Sequence, residues 1–229
     1  AQFEPRVAAA DIARILQLEQ GRKLSMSLYR QVHQSDTRLH FRLCSEGESL
    51  PLSDVLPVLE NLGLRVLAEN PYDIKTPDGG RFWIQDFDLQ YSLGLVVDIN
   101  EVRDEFTDAF ERIWFGEAES DGFNKLLLGT RLNWREVALL RAYAKYLKQV
   151  NFAFSTDYIA ETMQQHLHIT GSLVELFLTR FDPWAEGDVQ WRGARQADIE
   201  DWTDAVLDEV QNQGQVRIIR QTVALMKAT

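Results

Sequence analysis

The apolar positions of the first hundred residues alternate between helical and strand spacing. In "VAAADIARILQLEQG" (7–21), Ile12, Ile15, Leu16 and Leu18 recur at helical intervals and Gly21 is placed as a stop. "KLSMSLYRQV" sets Leu24, Met26 and Leu28 against Ser25, Ser27 and Tyr29, a strand with one buried face. "RLHFRLC" repeats that period, with Leu39, Phe41 and Leu43 against His40 and Arg42. The polar "HQSDT" between them has hairpin length. "PLSDVLPVLENLGLRV" (51–66) then returns to helical spacing, burying Val55, Leu56, Leu59 and Leu62 and stopping at Gly63. Ser53 is the expected N-cap, which leaves Pro57 in the first turn. "LRVLAENPYDI" and "RFWIQDFDLQ" follow as strands joined by the turn "KTPDGG". The order is αββαββ, and its compact solution is α+β: a four-stranded antiparallel sheet with two helices on one face.

Beyond about residue 99 only helical spacing remains. Val102, Phe106, Phe110 and Ile113 form one stripe. "NWREVALLRAYAKYLKQV" forms another, opened by the capping-box pair Asn133 and Glu136 and facing inward with Val137, Leu140, Tyr143, Ala144 and Leu147. Ser155 can open a further helix, "GSLVELFLTRF" ends before Pro183, and two more helices complete the chain. The expected division is therefore residues 1–98, α+β, and residues 99–229, all-helical. Residues 182–195 form the best candidate linker within the helical part.

The 229 residues suffice for one large core or two small ones, and 45% apolar against 26% charged residues indicates globular folding rather than disorder. A net charge of −11 excludes broad attraction to nucleic acid or to an anionic membrane surface. Cys44 is the single cysteine, so neither an intrachain disulfide nor a cysteine-built metal site can form. No run reaches the roughly 18 apolar residues of a membrane span, and no signal-peptide pattern opens the chain, so the cytoplasm is expected.

Candidate chemistry is sparse. The glycines form neither GxGxxG nor GxxxxGK[ST], and neither HExxH nor GxSxG occurs. His166 and His168 are a close pair, but two residues apart on a helix they diverge, so solvated helix-end histidines are expected. His33 and His40 are expected at the surface or in the hairpin. Glu117, Glu119 and Asp121 lack the later carboxylate of a calcium loop, and helix capping by Ser120 or Asp121, with Phe123, Leu126 and Leu127 packed inward, explains them better. The tryptophans are too widely spread for a stacking platform and are expected as core or interface anchors. No catalytic, metal or cofactor-binding residue is assigned.

The blocks "SLYR", "LPLSDVLPVLENLGLRVLAENPYDI", "WIQDFDL", "FERIWFGEAESDGFNKLLL", "NWREVALLRAYAKYLKQVNFAFS" and "VELFLTRFDP" together resemble the large bacterial NAD-dependent glutamate dehydrogenases. The resemblance implies an internal piece of the N-terminal region of such a chain, where ACT-like (ferredoxin-like) domains and helical segments precede the catalytic domain. It implies NAD as the cofactor of the parent enzyme and none for this piece. The implied partners are the remaining domains of the parent and further copies in a homo-oligomer. "LSDVLPVLENLGLRV" also resembles the first helix and following strand of an ACT domain, a module that binds amino acids, which makes Gly47, Leu52, Ser53 and Asp54 candidate effector contacts. The usual Pro-Gly step is replaced here by "EGESLP". The order αββαββ matches the βαββαβ of an ACT domain once the first strand is moved to the end.

Overall fold

A computed structural model describes residues 5–31, 34–184 and 187–229; His33 lies outside the described residues. The chain divides into two compact units, Ala1–Ser120 and Asp121–Thr229. The first contains α1 (Pro5–Glu19), β1 (Ser25–Tyr29), β2 (Arg38–Glu46), α2 (Leu52–Asn61), β3 (Leu64–Lys75), β4 (Arg81–Tyr91) and α3 (Ile99–Trp114). The four strands form one antiparallel sheet in the order β1-β2-β4-β3. The α+β sheet architecture and the helical part that follows are as the periodicity indicated.

The register assigns each strand residue to a face. Leu28, Phe41 and Phe87 lie in one row across β1, β2 and β4, and Phe41 packs against Phe106 and Phe110 of α3 at centroid distances of 5.3 and 4.9 Å. Arg42, Cys44, Ile84 and Asp86 point the other way, toward α1, where Ile15 and Leu18 join Cys44, Phe82 and Ile84 in a buried cluster. β2 is therefore covered on both sides, and all of Leu39–Ser45 is buried. α2 packs on β3 and α3.

Two expectations change as a result. α1, expected beside α2, covers the opposite face, and α3 takes the place beside α2. The boundary at 98/99 moves to Ser120/Asp121, because the apolar stripe of α3 (Val102, Phe106, Phe110, Ile113) is buried in the sheet unit. Read cyclically from β4, the order β4-α3-β1-β2-α2-β3 is βαββαβ. The last strand thus holds the central position of an ACT-type first strand, between β2 and β3.

Leu67 is the extra residue of a β-bulge between Val66 and Ala68 and projects toward solvent. The hairpin joining β3 and β4 turns at Gly79, whose φ of +94° a side chain would strain.

The second unit contains a 3-10 turn (Gly122–Lys125), α4 (Leu126–Thr130), α5 (Trp134–Gln149), α6 (Thr156–Gln165), α7 (Leu167–Phe181), α8 (Val189–Leu207) and α9 (Gln213–Ala228). Its core holds Leu126, Leu127, Leu140, Leu147, Ile159, Met163, Leu173 and Ile218. α5 and α6 are capped locally. Asn133 Oδ1 accepts from the N–H groups of Arg135 and Glu136, while Glu136 accepts from the Asn133 N–H. Ser155 Oγ accepts from the Tyr158 N–H at 3.1 Å. α6 and α7 break at His166, whose φ of −122° and ψ of 56° leave the helical region.

Candidate functional site

The expected effector site lies where β2 passes into α2. Gly47 turns the chain at φ +83°, and its N–H donates to the Arg81 carbonyl at 2.8 Å. The Gln85 amide then fixes Leu50, accepting from its N–H at 3.0 Å and donating to its carbonyl at 3.1 Å. A shallow cleft of about 440 Å³ borders this loop, lined by Lys23, Ser45, Gly47, Pro51, Trp114 and Phe115. Lys23 Nζ sits 5.1 Å from the centre of the Phe115 ring.

Of the four expected residues, only Gly47 lines that cleft; Leu52, Ser53 and Asp54 follow it as the exposed first turn of α2. Ser53 is not the N-cap. Pro51 holds that position with no side-chain cap, and the Ser53 hydroxyl donates to Asp54 at 3.1 Å. The clamp on Leu50 starts the helix earlier than the hydroxyl signal suggested, so Pro57 stands in the helix interior rather than its first turn.

The most highly organised polar group in the first unit surrounds Arg42. Its Nη1 donates to both Asp11 oxygens at 2.8 and 3.0 Å, and its Nη2 to Asp86 at 2.6 Å. Arg14 shares Asp11, and the Tyr29 hydroxyl donates to Asp86. His40, expected at the surface or in the hairpin, lies in the β1–β2 hairpin but is buried, stacked on Tyr29 and bonded to Gln34. Burial raises the Tyr29 pKa, and the Asp86 charge raises it further. For Arg42, burial works against the cation, but its bond to Asp86 and the neighbouring negative charges outweigh this and raise its pKa. The Cys44 thiol is pushed up to about 12, chiefly by burial. Tyr29 and Cys44 therefore stay neutral and Arg42 stays charged, and the cluster acts as a lock between α1, β2 and β4.

The second unit has a counterpart. Arg141, buried on α5, donates through Nε to Asp121 at 2.7 Å and through Nη2 to Asp121 and Asn124, both at 2.9 Å. Asp121 is also the N-cap of the 3-10 turn, with Phe123, Leu126 and Leu127 packed inward as the sequence suggested. His166 bonds Gln215 at 3.0 Å while His168 is exposed, so the two do not converge. Among the described residues, no group of three or more His, Cys, Asp or Glu is placed to hold a metal ion, and no helix is long and apolar enough to cross a membrane.

Sequence reasoning missed the Arg42 cluster. The available signal was charge at strand positions: Arg42 and Asp86 sit mid-strand, where an unpaired charge on a covered face would be prohibitive.

Residues 23–102 match the family model described as glutamate dehydrogenase, ACT3 domain, and residues 118–183 the model for glutamate dehydrogenase, helical motif 3. The ACT3 match begins after α1, in agreement with the placement of α1 outside the βαββαβ cycle. The chain is 43% identical over 230 residues to an NAD-specific glutamate dehydrogenase of Halomonas elongata, covering 99% of this chain and 14% of the relative. It is 43% identical over 228 residues to that of Pseudomonas aeruginosa, again 14% of the relative, and 35% identical over 188 residues to that of Mycobacterium tuberculosis, covering 80% of this chain and 12% of the relative.

Proposed function

The chain belongs to the NAD-specific glutamate dehydrogenase family, and we propose that within such an enzyme it is a non-catalytic architectural and regulatory segment. The parent reaction would be oxidation of L-glutamate by NAD⁺ and water to 2-oxoglutarate, ammonia and NADH in the cytoplasm. Its chemistry would reside in parts of the enzyme outside this chain. The observation that carries this reading is that ACT3 and helical-motif matches account for most of the sequence, which contains neither glycine-rich phosphate loop.

The role fits the surfaces. Ile12 and Leu16 on the outer side of α1 are 58% and 48% exposed, and Leu93, Leu95 and Val96 are exposed between β4 and α3. Apolar groups displayed in this way suit contacts with other domains of the parent chain or with a second subunit. The test replaces Ile12 and Leu16 by Ser in the full-length enzyme. Weaker subunit or domain association with unchanged KM for glutamate and NAD⁺ is expected. Altered KM with unchanged assembly would oppose the reading.

A second reading, an amino-acid sensor, is favoured by one observation: α2 starts beside the Lys23 cleft without a side-chain cap, an arrangement that suits a ligand carboxylate. Shifts of the Gly47, Leu52, Ser53 and Asp54 amides in an NMR titration with single amino acids would support it. Silence at all four would remove it.

A further inference from the structure

α8 differs from the other helices of its unit in what it leaves outside. Ile199, Thr203 and Leu207 bury its inner side, yet Trp191 and Trp202 are 50% and 42% exposed. At 100° per residue, Trp191, Arg195, Asp198 and Trp202 fall on one stripe that borders the buried side, with Arg195 at its inner edge where it meets Glu175 of α7. Two indoles on one exposed helix stripe suit an interface anchor better than a monomer surface.

Charge decides the occupant. The first half of α8 carries Arg192 and Arg195, and the second half carries Asp198, Glu200, Asp201 and Asp204. Some of these are engaged within the unit: Glu200 with Lys227, Asp204 with Arg220, and Arg195 with Glu175. Asp198 makes no ion pair among the described residues. The stripe is thus basic at one end and acidic at the other, with a tryptophan on each. Its best complement is the same stripe reversed.

We infer that the Trp191–Trp202 stripe of α8 pairs antiparallel with α8 of a second copy of this chain about a two-fold axis. The axis that sets Trp191 against Trp202 also sets Arg195 against Asp198, and symmetry makes each contact twice. A parallel arrangement would oppose like charges at both ends. A partner of another kind would need its own matching basic-aromatic and acidic-aromatic halves. This inference gives a specific surface to the subunit-contact part of the proposed function and rests on that reading. Contacts through α1 or the β4–α3 loop do not depend on it.

The test is sedimentation velocity of the 229-residue chain from low to several hundred micromolar. A concentration-dependent dimer is expected. Asp198→Arg, which places two arginines together twice, should weaken it about tenfold or more. Arg195→Asp combined with Asp198→Arg restores the opposite charges across the axis, with Glu175→Gln added so that no carboxylate of the same unit faces position 195, and should recover the dimer; Trp191→Ala should weaken it. A chain that stays monomeric, a dimer indifferent to Asp198→Arg, or failure of the double reversal to rescue would each overturn the pairing. None of these outcomes would bear on the α1 substitutions, so the broader reading stands or falls separately.

Discussion

Each unit holds a buried, ion-paired arginine, and the two arginines do different work. Arg141 finds Asp121 and Asn124 within 20 residues of itself and completes a cap that local sequence had already begun. Arg42 reaches 31 residues back to Asp11 and 44 forward to Asp86 and joins three elements that meet only in the finished fold. Asp121 is partly open to solvent, whereas Asp11 and Asp86 are buried. The helical unit therefore uses its ion pair to finish an element, and the sheet unit uses one to attach α1 to a sheet that would otherwise show a charged face.

Arg42→Met breaks this comparison most severely. It leaves two buried carboxylates without their shared cation and should cost about 3–5 kcal/mol in denaturant unfolding. Arg141→Met should cost less, about 2–3 kcal/mol, because water can solvate the exposed side of Asp121. If the two losses came out equal, the distinction between an attaching and a finishing arginine would be lost.

Alkaline pH tests the burial on which the first unit depends. The Cys44 thiol has an ordinary value of 9.0 and is pushed up to about 12 in the fold, so above pH 9 the unfolded chain ionises first and holds fewer protons. Stability is intact below about pH 9 and falls as pH rises toward 12, with about 1–2 kcal/mol lost near pH 10.5. Tyr91, pushed up to about 12 by burial, adds to the fall. Denaturant titrations at pH 8 and near pH 10.5 should show the decline, and Cys44→Ala should lessen it. The smallest effect is expected at a purely local device: Asn133→Ala should cost about 1 kcal/mol, read in the same way.

The same contrast explains what could be read from the sequence. The caps at Asp121, Asn133 and Ser155 lie within four residues of the groups they satisfy, so sequence spacing reveals them. The strands alternate because neighbouring positions face opposite ways, and their number and order follow from that. Alternation does not reveal what covers the polar side. Tyr29, His40 and Arg42 looked like the solvent face, and only the placement of α1 makes them interior. The position of α3 was illegible for a similar reason: its stripe fits a bundle as well as a sheet. At the candidate site, Ser53 carried a cap signal, but the clamp of Gln85 on Leu50 comes from β4, 35 residues away, and it sets where α2 starts.

The central claim is that this chain organises an enzyme rather than senses or transforms a small molecule. The most direct test is thermal unfolding of the 229-residue chain against NAD⁺ and each common amino acid. A ligand at 100 times its Kd would add about 2.7 kcal/mol, a shift of roughly 5–10 °C for a chain of this size. No shift is expected with any of them. A shift with one amino acid alone would contradict it and make the first unit a sensor.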